Sequence, residues 1–156
     1  MLTTYNLKMP RVVYGGENAM DSITGIIRSG GFRKVAMFTD KSSQSLGLCD
    51  LPKEAVQAAG AEYEIFNDLK PEPSYLQVQE VVDQFKSCGA DLIVACGGGS
   101  VLDAAKLASV LVTDEYGVKE LLEEPGRAKK CVPMVLIPTT AGTGAEVTPN
   151  AIVAVP

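Results

Sequence analysis

The stretch Leu92-Ile93-Val94-Ala95-Cys96-Gly97-Gly98-Gly99-Ser100-Val101-Leu102-Asp103-Ala104-Ala105-Lys106 decides the fold. Leu92 to Ala95 is continuously apolar, as a strand covered on both faces of a parallel sheet requires. Beyond the glycines, Val101, Leu102, Ala105, Leu107, Ala108 and Leu111 recur at helical spacing, and Ala104 and Ala105 permit close packing on a sheet. A buried strand thus enters a helix through three consecutive glycines. Lacking a Cβ, Gly97, Gly98 and Gly99 let backbone N–H groups approach an anion, with Ser100 at the expected N-cap. An anion there would meet unpaired amides and the positive end of the helix dipole. Alternatively, the stretch is a tight turn shaped only by packing, since it lacks the spaced glycines of the Rossmann fingerprint.

Outward from this centre, strands and helices alternate. Upstream, Val12-Val13-Tyr14 is an expected strand before the Gly15-Gly16 turn, with Met1 to Pro10 as an edge ribbon. Glu17 to Ser29 has Ala19, Met20, Ile23, Ile26 and Ile27 at helical spacing and is stopped by Gly30-Gly31. Lys34 to Thr39 reads as a strand ending at Asp40. Lys41 to Gly60 is helical, broken near Gly47 and Pro52. Glu62 to Phe66 is a short strand, and the loop from Asn67 leads to Ser74, the expected N-cap of a helix with Val78, Val81, Val82 and Phe85 on its apolar face. Downstream, Asp114 to Lys130 is a charged surface excursion with a helical patch at Val118 to Glu123. Met134 to Ile137 is a buried strand, and Ala151 to Val155 is an expected last strand. This alternation predicts an α/β domain with a mainly parallel sheet flanked by helices.

Composition narrows the function. A chain of 156 residues, 46% hydrophobic and 21% charged, suits one globular domain, residues 1–156. Its net charge of -5 argues against nucleic acid or an anionic membrane as partner. The four cysteines show no Cys-x-x-Cys spacing and no secretory signal precedes them, so a reduced, cytoplasmic setting is expected. No apolar segment has the length of a membrane-spanning helix. Histidine is absent, which removes the commonest metal ligand and the usual general base near neutral pH. No nucleophile-and-base arrangement is recognisable, so neither a catalytic residue nor a metal ligand is assigned within the chain.

Ligands of open α/β sheets bind beyond the carboxyl ends of the strands, and three such ends here carry chemistry. Asp40 could accept hydrogen bonds from ribose hydroxyls and repel a 2′-phosphate, or it could cap the next helix. Gly97 to Ser100 form the anion cradle. Thr139, Thr140, Thr143 and Thr148 place hydroxyls beside Gly142 and Gly144, either to line a ligand or to satisfy their own turn. Asp103 and Lys106, three apart on the helix, are expected to form an intrahelical ion pair. Glu146 is expected to cap or turn the chain.

Gly97 to Lys106, together with Ile137-Pro138-Thr139-Thr140-Ala141-Gly142-Thr143-Gly144-Ala145-Glu146-Val147-Thr148, resembles the paired signature of the iron-containing alcohol dehydrogenase family. The resemblance extends from the Gly15-Gly16 turn to the C-terminus. It implies a Rossmann-like domain of the dehydroquinate-synthase-like N-terminal kind that holds NAD, with Asp40 on the adenosine ribose and Gly97, Gly98, Gly99 and Ser100 on the pyrophosphate. It places Thr139, Thr140, Thr143, Thr148 and Asn150 along the rest of the cofactor path and Asp103 near the nicotinamide end. The loop Pro71-Glu72-Pro73 departs from the family's common Pro-Asn-Pro form, and no adenosine contact is carried onto Glu72. Family members continue into a helical domain whose aspartate and histidines hold iron or zinc. That domain is expected to lie outside these residues. The implied substrate is a small alcohol or aldehyde, alternatively glycerol or another polyol, and a homo-oligomer such as a dimer is the expected assembly. The alternative from a different class is a free-standing nucleotide-binding module without catalysis.

Overall fold

A computed structural model describes residues 10–156. Its centre is a four-stranded sheet of β1 (Lys34–Phe38), β2 (Glu62–Phe66), β3 (Leu92–Gly97) and β4 (Met134–Pro138), ordered β2-β1-β3-β4. Every neighbouring pair is parallel. The helices are α1 (Asp21–Gly30), α2 (Lys41–Ser45), α3 (Asp50–Ala59), α4 (Tyr75–Cys88), α5 (Gly99–Val110) and α6 (Val118–Glu123). The α/β class and the parallel sheet expected from the sequence are present.

Side-chain alternation along the strands sorts two cores, because successive residues point to opposite faces. Val35, Met37, Leu92 and Val94 pack with Ile23 and Ile27 of α1 and with Ala55 and Val56 of α3. Ala36, Phe38, Ile93 and Ala95 face the other way, onto Val78, Val82 and Phe85 of α4 and the apolar side of α5. Phe38 and Phe66 stack with ring centroids 5.1 Å apart, and Phe85 meets Phe38 edge-on at 5.9 Å. Such aromatic pairs prefer offset or edge-to-face contact and supplement the burial of their area.

The strand order locates the site. From β1 the chain crosses through α3 to β2 on one side, then returns through α4 to β3 on the other. Helices α3 and α4 lie on opposite faces, as equal-handed crossovers in opposite directions demand. The order therefore reverses between β1 and β3, and open α/β sheets bind ligands in the crevice at that point.

Two expected strands need correction. Val12, Val13 and Tyr14 form no strand; they are 59%, 69% and 53% exposed, so no core rewards their pairing. The ribbon expected at Met1 to Pro10 lies outside the described residues except for Pro10. The last strand reduces to one bridge, in which the Ala154 N–H donates to Pro73 O and its carbonyl accepts from Tyr75 N–H, both at 3.0 Å. Its partner is the entry to a helix, so no ladder can propagate.

Ser74 is the N-cap of α4, as its sequence context predicts. Its Oγ accepts from Gln77 N–H at 3.4 Å, while Gln77 Oε1 accepts from Ser74 N–H at 3.0 Å, a reciprocal capping box. Ser74→Ala should lower stability by about 1 kcal/mol, read as a lower denaturant midpoint at unchanged slope.

Candidate functional site

Strand β3 is buried over its whole length and delivers its last residue, Gly97, opposite Pro138 at the end of β4. The Thr139 N–H donates to Gly97 O at 2.9 Å, so the ladder runs on into the threonine loop. Two motifs some forty residues apart thereby become adjacent turns on one edge of the sheet. The glycines are required by space more than by dihedral angle, since none of Gly97, Gly98 and Gly99 has a positive φ. A Cβ on Gly97 would lie 2.7 Å from Val101 Cγ2. One on Gly98 would lie 3.4 Å from Thr140 Oγ1, and one on Gly99 3.2 Å from Thr143 Cγ2. Gly97 lets α5 pack and Gly99 lets the threonine loop approach, whereas a Cβ on Gly98 would meet that loop at ordinary contact distance.

Helix α5 begins two residues earlier than expected. Its N-cap is Gly98, whose carbonyl accepts from Val101 and Leu102 N–H at 3.1 Å each, and no side chain caps it. Ser100 is inside the helix, and its Oγ accepts the Glu72 N–H at 3.3 Å. Among the described residues, the Gly99 and Ser100 N–H groups have no protein acceptor. Helix-start amides without partners, combined with the dipole, favour an anion.

Asp40 follows β1 and caps α2, which settles the structural half of its two expectations. Its Oδ1 accepts from Ser43 N–H at 2.8 Å and its Oδ2 from Ser43 Oγ–H at 2.7 Å. Phe38 and Ala95 are paired two residues before Asp40 and Gly97 respectively, so Asp40 and the glycine turn flank the reversal point. The side chain is only partly buried, so the carboxylate retains contact with solvent.

Asp103 and Lys106 form the expected ion pair at 2.8 Å, but it is inside the molecule, at 8% and 5% exposure. The Lys106 ammonium also donates to Thr148 O and Asn150 O, and Asp103 Oδ2 accepts from Ile152 N–H at 3.1 Å. Spacing on a helix reveals the pair; the groups that bury it come from a segment some forty residues later, which the sequence does not relate to α5. Thr143 Oγ1 accepts from Ala145 N–H at 3.3 Å, as a turn threonine does. Glu146 makes no cap: its Oε2 is buried with no hydrogen-bond partner among the described residues.

Cys49, Cys96 and Glu72, all near the turn, have surroundings that sequence reasoning did not foresee. Cys49 Sγ lies 2.9 Å from Thr39 Oγ1 and 3.8 Å from Cys96 O, while Cys96 Sγ–H donates to Leu48 O at 3.4 Å. Burial, then the neighbouring Cys49, pushes the Cys96 thiol up to about 12. Glu72 has φ +49°, a left-handed conformation rare for a residue with an ordinary side chain. Its departure from Pro-Asn-Pro is the one signal that could have flagged it.

Among the described residues, no group of three or more His, Cys, Asp and Glu side chains is placed to hold a metal ion. No described helix is long and apolar enough to cross a membrane.

The profile of the family described as iron-containing alcohol dehydrogenase matches residues 10–156. Long-chain-alcohol dehydrogenase 1 of Geobacillus thermodenitrificans is 31% identical over 94% of this chain and 38% of its own length. A crystal structure of an iron-containing alcohol dehydrogenase from Thermotoga maritima superposes with TM-score 0.84 at 34% identity, over 96% of this chain and 42% of that one. The sulfoacetaldehyde reductase of Bifidobacterium kashiwanohense, solved in complex with NAD+, superposes with TM-score 0.77 at 25% identity, over 94% and 39%. The chain therefore spans well under half the length of the relatives it matches.

Two measurements test the local chemistry. Asparagine tolerates the left-handed region, so Glu72→Asn should raise stability by about 1 kcal/mol in a denaturant titration. The Cys96 thiol ionises at 9.0 when unperturbed and only near 12 in the folded chain. Above the lower value the unfolded state releases a proton that the folded state keeps, so this contribution is intact below pH 9.0 and is lost progressively toward pH 12. The stability of Cys96→Ala should accordingly fall less steeply across that window than that of the parent.

Proposed function

The chain belongs to the iron-containing alcohol dehydrogenase family, and we propose that it is the NAD-binding domain of an enzyme interconverting small alcohols with aldehydes or ketones. The observation that carries this proposal is the convergence of the glycine turn, the threonine loop and the uncapped start of α5 at the reversal of strand order. The fit is physical: Gly98 and Gly99 keep the cradle free of side chains, and helix-start amides face an anion without competition from a capping side chain.

In this proposal the Gly99 and Ser100 N–H groups and the α5 dipole hold the pyrophosphate, Gly97 and Gly98 allow its approach, and Asp40 accepts from the adenosine ribose. Thr139, Thr140, Thr143, Thr148 and Asn150 line the remaining path, and Asp103 supports its nicotinamide end. When bound, NAD would supply the hydride acceptor for the carbinol carbon, the hydroxyl proton passing to solvent as the carbonyl forms. Among the described residues, no cluster fits the divalent metal, iron or zinc, expected for the complete protein. Residues 1–156 as one domain and the alcohol substrate belong to the same proposal, supported by family membership. The cytoplasmic setting rests on four free cysteines, and self-association, as a dimer, on the exposed apolar Val147, Ile152 and Val155.

Titration of the chain with NAD by calorimetry should show saturable binding. Asp40→Asn keeps the helix cap while removing the charge that opposes a 2′-phosphate. It should shift the preference between NAD and NADP by about tenfold toward NADP. An unchanged ratio would remove Asp40 from the ribose site.

A further inference from the structure

We infer that Lys106 is a positioning residue for the far half of the cofactor path, acting through the backbone of Thr148 and Asn150. This rests on the NAD-binding proposal above. A lysine ammonium has three N–H donors and no acceptor. Here the three have three acceptors: Asp103 Oδ1 at 2.8 Å, Thr148 O at 3.3 Å and Asn150 O. Asp103 uses its second oxygen on the Ile152 N–H at 3.1 Å. The pair thus binds residues 148, 150 and 152, every second backbone position of one segment.

Besides these bonds, the segment is held by the partly buried Ala151 and Val153, which pack against the core but do not fix the direction of the backbone at 148 and 150. It belongs to no strand, and its one bridge is at Ala154. Ile152 is 76% exposed, so apolar burial of its side chain does not anchor it. Thr148 and Asn150 offer their carbonyls to Lys106, and both residues are exposed overall. A buried ion pair is often no more stabilising than apolar side chains of similar volume. What methionine at position 106 could not supply is three directed hydrogen bonds, and these set where the segment lies against α5. Since α5 also carries the glycine turn at its start, one rigid helix fixes both halves of the path: its first turn directly, and the 148–152 segment through Lys106.

The test compares the full chain with Lys106→Met, Lys106→Arg and the D103L/K106M double variant, which leaves no unpaired charge if the single variant fails to fold. NAD and ADP are titrated by calorimetry, and amide exchange is followed in the peptide covering residues 146–153. Lys106→Met should bind NAD about tenfold more weakly while ADP, which lacks the nicotinamide half, binds as in the parent. Exchange should accelerate in that peptide and stay unchanged in β1 and β3, with Lys106→Arg recovering part of both effects. Should Lys106→Met fail to fold, the double variant should show the same selective losses. Equal losses of NAD and ADP, or unchanged exchange in residues 146–153, would overturn the inference. If the parent itself binds no NAD, the cofactor proposal fails, and the exchange comparison still decides whether Lys106 holds the segment.

Discussion

Everything in this domain depends on keeping the backbone of β3 dry. Its residues are buried from Leu92 to Gly97, with β1 on one side, β4 on the other and helices over both faces. A peptide group in such a place must be hydrogen-bonded, because an unpaired buried N–H or C=O costs about as much as the bond it lacks. The parallel ladders meet that demand along the strand. At its carboxyl end Gly97 O still finds the Thr139 N–H, and the chain then passes directly into α5. The first amides of α5 lie just beyond the last ladder bond, so the polar groups left over at the end of a satisfied strand are the ones the proposed cofactor would use.

Much of this arrangement was legible in residue order. The unbroken Leu92 to Ala95 run announced a strand covered on both faces, and Gly31, Gly60 and Gly89 each end a helix in the left-handed conformation that only glycine adopts freely. Ser74 was readable as a cap because the signal is local. Less legible was whatever depends on a distant partner. Serine is the better N-cap by preference, so Ser100 was the natural choice; the helix nevertheless starts at Gly98, which faces Thr140 of a loop that the sequence does not relate to it. Asp103 and Lys106 carry the same spacing whether exposed or buried, and only the return of residues 148–152 over α5 decides between them. Val12 to Tyr14 and Ala151 to Val155 have strand-like composition, which gives no ladder where a neighbouring strand is missing.

Asp40 shows how one side chain can support two expectations at once. Its cap on α2 orients the carboxylate through Ser43, and that orientation is itself a prerequisite for presenting a fixed charge beside the crevice. At such a position the observed cap and the proposed ribose contact are compatible. The same holds for Gly97, whose missing side chain serves the packing of Val101 and thereby sets how closely α5 sits on the sheet.

The strand order has a kinetic consequence. No two neighbouring strands are joined by a hairpin, and β1 meets β3 only after α2, α3, β2 and α4 have been made, with Arg33 and Asp91 separated by 58 positions at the start of that pairing. Loop-closure entropy must be met before these contacts return any free energy, so chains of this topology fold more slowly than bundles built from local contacts. Until β3 arrives, the inner edge of β1 stands open, and the hydrophobic sides of α1 and α3 have only half a sheet beneath them. The reversal that makes the crevice is thus also what gives the sheet its long-range pairing, since β1 and β3 are neighbours in space but are separated in sequence by α2, α3, β2 and α4.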